Sequence, residues 1–112
     1  MSFEPREYLR HIVAEADYLI GCSSGLTAEA FEADETLRRA FARSLEVIGE
    51  ATKKLPYGFR TRHPQVEWRA MTGMRDRLIH AYFGIDYLLV WDVVRNKIPV
   101  LRQQISEILD AD

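Results

Sequence analysis

Residues 34–54 read DETLRRAFARSLEVIGEATKK, and their spacing decides the fold class. Leu37, Phe41, Leu45, Ile48 and Ala51 recur at three- and four-residue intervals, the period of a helix with one apolar stripe rather than the alternation of a strand. Asp34 stands where an N-cap accepts an amide hydrogen bond. Lys53 and Lys54 stand where positive charge suits the negative end of the helix dipole. Gly49 falls inside this segment, where glycine costs about 1 kcal/mol against alanine, and a close helix–helix approach is the reason to keep it. Leu55-Pro56-Tyr57-Gly58-Phe59 stops the helix.

The same period continues on both sides. Leu9, Ile12, Val13, Ala16, Leu19 and Ile20 form an amphipathic first helix of about five turns. Ser2 can cap it, Pro5 sits in its first turn, and Gly21 ends it before a Cys22-Ser23-Ser24-Gly25 turn. Thr27 caps a short turn carrying Phe31. Beyond the long helix a basic loop leads to Pro64, the expected first residue of a helix through Val66, Trp68, Met71, Met74, Leu78 and Ile79 to Gly84. Asp86 caps the next, with Leu88, Leu89, Trp91, Val94 and Ile98 inward; Pro99 opens a last helix with Leu101, Ile105 and Ile108 inward. No alternating apolar stretch bounded by turn signals occurs, so the reading is an all-α bundle of about five helices.

At 112 residues the chain is expected to form a single domain, 1–112. Hydrophobic residues make up 47% and charged residues 29%, a globular balance rather than a disordered one. The apolar runs are far too short for a membrane span, the N-terminus lacks a signal-peptide apolar stretch, and the lone Cys22 suits a reducing cytoplasm. The net charge of −2 is unevenly spread: residues 53–80 carry Lys53, Lys54, Arg60, Arg62, Arg69, Arg75 and Arg77 against Glu67 and Asp76, net +5, which leaves −7 elsewhere. Such a patch can attract RNA locally; a solvated basic helix face explains the charge equally well.

Within that patch lies Met74-Arg75-Asp76-Arg77-Leu78-Ile79-His80-Ala81-Tyr82. A guanidinium can hold a phosphate by two parallel hydrogen bonds. An imidazole with a reference pKa of about 6.5 can take and return a proton near neutrality. Asp76 and His80, four apart, share a helix face, so the carboxylate can orient the ring. Arg75 and His80, five apart, are displaced by roughly 140° on an ideal helix, an angle that arginine's length, the helix end near Gly84 or a second subunit must close. The bland alternative is an interface in which His80 and Tyr82 are satisfied by Asp76 and Arg75.

Ile48-Gly49-Glu50-Ala51, Leu55-Pro56, Pro64, Trp68-Arg69, Gly73-Met74-Arg75-Asp76, His80-Ala81-Tyr82 and Trp91 together resemble the HepT-like branch of the HEPN superfamily, the toxin halves of HEPN/MNT toxin–antitoxin pairs. The match covers almost the whole chain in order, with the Arg-x4-His-x-Tyr motif intact. The resemblance implies an antiparallel HEPN-like bundle that forms a homodimer with both motifs facing one cleft. It also implies a metal-independent endoribonuclease with no cofactor, leaving a 2′,3′-cyclic phosphate. His80 would be the acid/base, Arg75 would stabilise the phosphate, and Asp76 would support His80. Tyr82 would be the residue that a partner minimal nucleotidyltransferase (MNT) adenylylates from ATP. A different class of function stays open, a non-catalytic helical dimer that binds a nucleotide, RNA or a partner protein.

Among the remaining residues, Arg60, Arg62, Arg69 and Arg77 are candidate RNA contacts, with solvated positions the alternative for the first three. Glu50 is expected to be buried or semi-buried; it can contact the site, though a structural hydrogen bond is the commoner outcome for such a residue. Tyr57 and Phe59 can stack on a base or pack in the core. Cys22 is expected to be a small buried residue. His11 and His63 are isolated, no ligand spacing suggests a metal, and no glycine loop is built to cradle a nucleotide phosphate.

Overall fold

A computed structural model describes residues 4–81 and 83–111; Ser2 as a cap and Tyr82 lie outside them. In chain order the elements are α1 (Pro5–Ser23), α2 (Ala28–Ala33), α3 (Glu35–Lys54), α4 (Tyr57–Arg62), α5 (Trp68–His80), α6 (Tyr87–Asp92), a π-helical turn (Val93–Lys97) and α7 (Ile98–Asp110). No strand occurs among the described residues. The chain is an all-α bundle of the HEPN-like kind.

Three of the starts follow from their caps. Thr27 Oγ1 accepts from the Ala30 amide, Asp34 Oδ1 from that of Leu37 and Asp86 Oδ1 from that of Leu89. Each bond satisfies an amide that a helix start leaves without a partner. The stripe of α3 is buried at Phe41, Leu45, Ile48 and Ala51, with Leu37 part-buried at the rim. It packs against α1 on one side and α5 on the other, while α1 also packs against α7. Phe31 stacks between Phe41 and Trp91, at centroid separations of 5.1 and 5.3 Å. A fully buried phenylalanine stabilises the fold by about 1.5–3 kcal/mol, which explains why the short α2 stays docked.

Gly49 is where α3 and α5 come closest. A Cβ there would run into Arg75 Cβ and lie 2.8 Å from the Met71 carbonyl oxygen, so the close approach expected at Gly49 is present.

The structure corrects several boundaries. α1 continues past Gly21 to Ser23, because the Ser23 carbonyl accepts from Arg95 Nη1 at 3.0 Å and so has a partner at the helix end. Cys22 is exposed, not buried. After the Leu55-Pro56 stop the chain turns straight into α4, where a loop was expected. Pro64 opens no helix: the Val66 amide donates to the His63 carbonyl, placing Pro64 second in a turn, a position its fixed φ suits. α5 begins at Trp68, whose Nε1 donates to the carbonyls of Arg60 and His63 at 3.1 and 2.9 Å. It ends at His80 rather than near Gly84. Leu88, expected inward, is 59% exposed, and Ile79 on α5 is 41% exposed.

Pro99 does not separate two helices either. α6, the π turn and α7 form one continuous helical rod. Proline lacks an amide hydrogen and its ring crowds the carbonyl four residues back. Here the Ile98 amide reaches back five residues to Val93, and the widened turn accommodates the ring. The extra residue also lets Val93 and Val94 both face the core.

Candidate active site

The site candidates lie where α3 crosses α5. Because Gly49 lets the backbones approach, the next residues on α3 reach the polar side chains of α5. Arg75 Nε donates to Glu50 Oε2 at 2.8 Å, and Arg75 Nη1 donates to Asp76 Oδ1 at 2.9 Å. Lys53 Nζ donates to the same Asp76 oxygen at 2.7 Å. The result is a chain of alternating charges, Glu50–Arg75–Asp76–Lys53. Hydrogen bonding from Lys53, then from Arg75, holds the Asp76 carboxyl below the usual carboxylate range. Hydrogen bonding to Asp76, with the Glu50 charge adding to it, holds Arg75 above its ordinary value. Arg75 keeps 23% of its side chain accessible, so it is neither walled in nor freely waving.

His80 closes the last turn of α5 and is exposed. Its Nδ1 lies 2.7 Å from the backbone carbonyl oxygen of Asp76. A carbonyl can only accept, so Nδ1 carries the hydrogen and Nε2 is the basic nitrogen of the neutral ring. The expected partner residue is therefore right and the expected atom is not: the Asp76 carboxylate is taken by Lys53 and Arg75, and its main chain holds the imidazole.

Arg75 and His80 open on different cavities. Arg75, with Glu50, Lys54, His11 and Ile79, lines one of about 470 Å³ beside α1 and α3. His80, with Arg77, Met74, Ile85 and Leu89, lines another of about 340 Å³ against α6. This separation is what five residues of helix impose. Within one chain the two side chains do not converge, and the helix end does not close the angle.

The other predicted positions divide into two groups. Arg77 shares the His80 cavity and is exposed. Arg60, Arg62 and Arg69 sit on α4 and at the opposite end of α5; Arg69 and His80 are about 16 Å apart along the helix axis at 1.5 Å per residue. Arg62 lies over the Phe59 ring at 5.8 Å and Arg60 is half-buried. Tyr57 is 76% exposed, while Phe59 packs against Trp68. Glu50 is more exposed than expected, with 48% of its side chain accessible. Lys53 was read as a helix-end charge and as part of the basic segment, not as a partner of Asp76; its place four residues after Gly49, on the face turned to α5, is the signal that would have found it.

The chain is thus a helical bundle that carries an arginine and an anchored histidine on one accessible helix, within a basic segment. A family model described as "Ribonuclease HepT-like" matches residues 7–108, and the chain belongs to that family. It is 48% identical over 108 residues to a protein of Caldanaerobacter subterraneus subsp. tengcongensis named "Putative RNase", covering 96% of each chain. It is 43% identical over 104 residues to a protein of the same designation from Methanocaldococcus jannaschii, covering 93% of this chain and 86% of the relative. It is 37% identical over 108 residues to "Probable ribonuclease HepT" of Thermococcus cleftensis, covering 96% and 98%. No solved structure matches the chain. Among the described residues, no helix is long and apolar enough to cross a membrane.

Proposed function

We propose that this chain is a metal-independent endoribonuclease and the toxin of a HEPN/MNT toxin–antitoxin pair, acting as a homodimer in the cytoplasm. The observation that carries the reading is His80, exposed at a helix end with Nδ1 fixed on the Asp76 carbonyl, five residues from Arg75, which keeps 23% of its side chain accessible. Membership of a ribonuclease family over residues 7–108 supports it.

His80 Nε2 takes the proton from a ribose 2′-hydroxyl as that oxygen attacks the adjacent phosphorus, and the imidazolium so formed gives a proton to the leaving 5′-oxygen. The P–O5′ bond breaks and a 2′,3′-cyclic phosphate remains. Arg75 stabilises the additional charge on the phosphoryl oxygens as the transition state forms, a role that needs no metal. Because the two residues open on separate cavities of one chain, a second copy facing the end of α5 completes the pair. The exposed Ile79, Phe83 and Leu88 near that end are the apolar surface such a copy covers.

Tyr82, two residues beyond His80, is the proposed adenylylation site for the partner nucleotidyltransferase. AMP there would set anionic phosphate and bulk at the cleft and switch off cleavage. The test is incubation of purified protein with RNA in EDTA. The wild type yields cyclic-phosphate ends, and His80→Ala and Arg75→Ala each lose about 10²–10⁴-fold. Undiminished cutting by both variants overturns the assignment, and RNA binding without cyclic-phosphate product favours a binding module instead. With the nucleotidyltransferase and ATP, AMP mass appears on the Tyr82 peptide; equal labelling of Tyr82→Phe removes that residue as the target.

A further inference from the structure

We infer that Glu50 is the positioning residue for Arg75, holding its guanidinium so that Nη2 stays presented to a phosphodiester; this rests on the ribonuclease reading above. Three residues of α3 bear on this side chain, Gly49 and Glu50 directly and Lys53 through Asp76. Gly49 lets the helix press against the base of Arg75. Glu50 then takes Nε at 2.8 Å. Lys53, one turn on, holds the Asp76 oxygen that takes Nη1.

A guanidinium has five N–H donors in a rigid plane. The two ion pairs occupy Nε–H and one hydrogen of Nη1, so among the described residues neither uses Nη2. What they leave is Nη2 with both of its N–H groups, donors that phosphate oxygens can take. The flexible stem of an arginine would otherwise sample many rotamers, and a phosphate would have to select one of them.

Stability does not account for the arrangement. Side-chain exposures of 48% at Glu50 and 45% at Asp76 make these surface pairs, which stabilise folds little. Excess positive charge does not account for it either, because the two cations and two carboxylates cancel. Direction remains: the carboxylates fix where the donors point.

The decisive comparison is Glu50→Gln, which keeps an acceptor for Nε, against Glu50→Ala, which does not. With an RNA oligonucleotide, Glu50→Ala lowers kcat about 10²-fold while KM changes little, and Glu50→Gln restores most of the loss. Urea midpoints of both variants match wild type. A second readout is independent of cleavage: the ¹⁵N-edited Nε–H resonance of Arg75, assigned by its disappearance in Arg75→Lys. It exchanges slowly in wild type and Glu50→Gln and fast in Glu50→Ala. Wild-type kcat in Glu50→Ala, or Gln as impaired as Ala, overturns the inference. If wild type cuts no RNA, the ribonuclease reading fails by itself; fast Nε–H exchange in wild type then rejects the role of Glu50.

Discussion

Replacing Gly49 with alanine sets two effects of opposite sign against each other. Alanine at a mid-helix glycine ordinarily stabilises by about 1 kcal/mol. At Gly49 the added Cβ would lie 2.8 Å from the Met71 carbonyl oxygen and 3.0 Å from Arg75 Cγ, with Arg75 Cβ closer still. The closest obstacles are backbone and the stem of a side chain, so no rotamer change clears them and the helices must part. Overpacking of this kind costs about 1–3 kcal/mol, and with two backbone-rooted contacts the upper half of that range applies. The expected net loss is about 1–2 kcal/mol, or a Tm lower by about 4–8 °C for a chain of this length. Gly73→Ala on α5 is the control, since a Cβ there meets nothing within 4 Å; it should gain up to about 1 kcal/mol. Urea unfolding read by circular dichroism measures both. Because the first atom met belongs to Arg75, cleavage should fall with stability in Gly49→Ala and not in Gly73→Ala. A Gly49→Ala protein stabilised as much as the control would refute the crossing geometry and the site built on it.

Two further outcomes follow from the same contacts. Lys53, then Arg75, lowers the Asp76 carboxyl, so its contribution to folding is complete above the unfolded carboxyl value of about 3.9 and fades as pH falls through the lower folded value. A ¹³C-detected titration should place the Asp76 midpoint below that value and move it upward in Lys53→Met; a wild-type midpoint at or above it contradicts the ion-pair chain. Asp86→Ala removes the α6 cap and should cost about 1 kcal/mol, with the Leu89 amide losing hydrogen-exchange protection. Unchanged exchange at Leu89 would show that the cap bond is not made in solution.

Local chemistry was legible where one residue and its near neighbours determine the outcome. The caps at Thr27, Asp34 and Asp86, the stripe of α3 and the 140° offset between Arg75 and His80 all depend on spacing within a turn or two. Gly49 was legible because a glycine that weakens its own helix needs an external reason. What could not be read depends on distant partners. The start of α5 is set by Trp68 reaching the Arg60 and His63 carbonyls, and the helical state of residues 57–62 belongs to the same packing. The end of α1 depends on Arg95, 72 positions away. Glu50 and Lys53 lie 25 and 23 positions from their partners. Asp76 misled because its spacing to His80 is right for a carboxylate contact; two nearby cations claimed that carboxylate first.

The π turn at Val93–Lys97 adds a phase slip of one residue to an otherwise regular rod. One residue is worth about 100° of rotation, and with the slip both halves of the rod stay on the core: upstream, Val90 is buried with Leu89 packed beside it, and both line the histidine cavity; downstream, Leu101, Ile105 and Ile108 are buried. A single-codon deletion within the slip would restore uniform winding and force one of those halves to turn away. The lining of the cavity and the docking of the last helix are thereby coupled through five residues that line neither the Arg75 nor the His80 cavity.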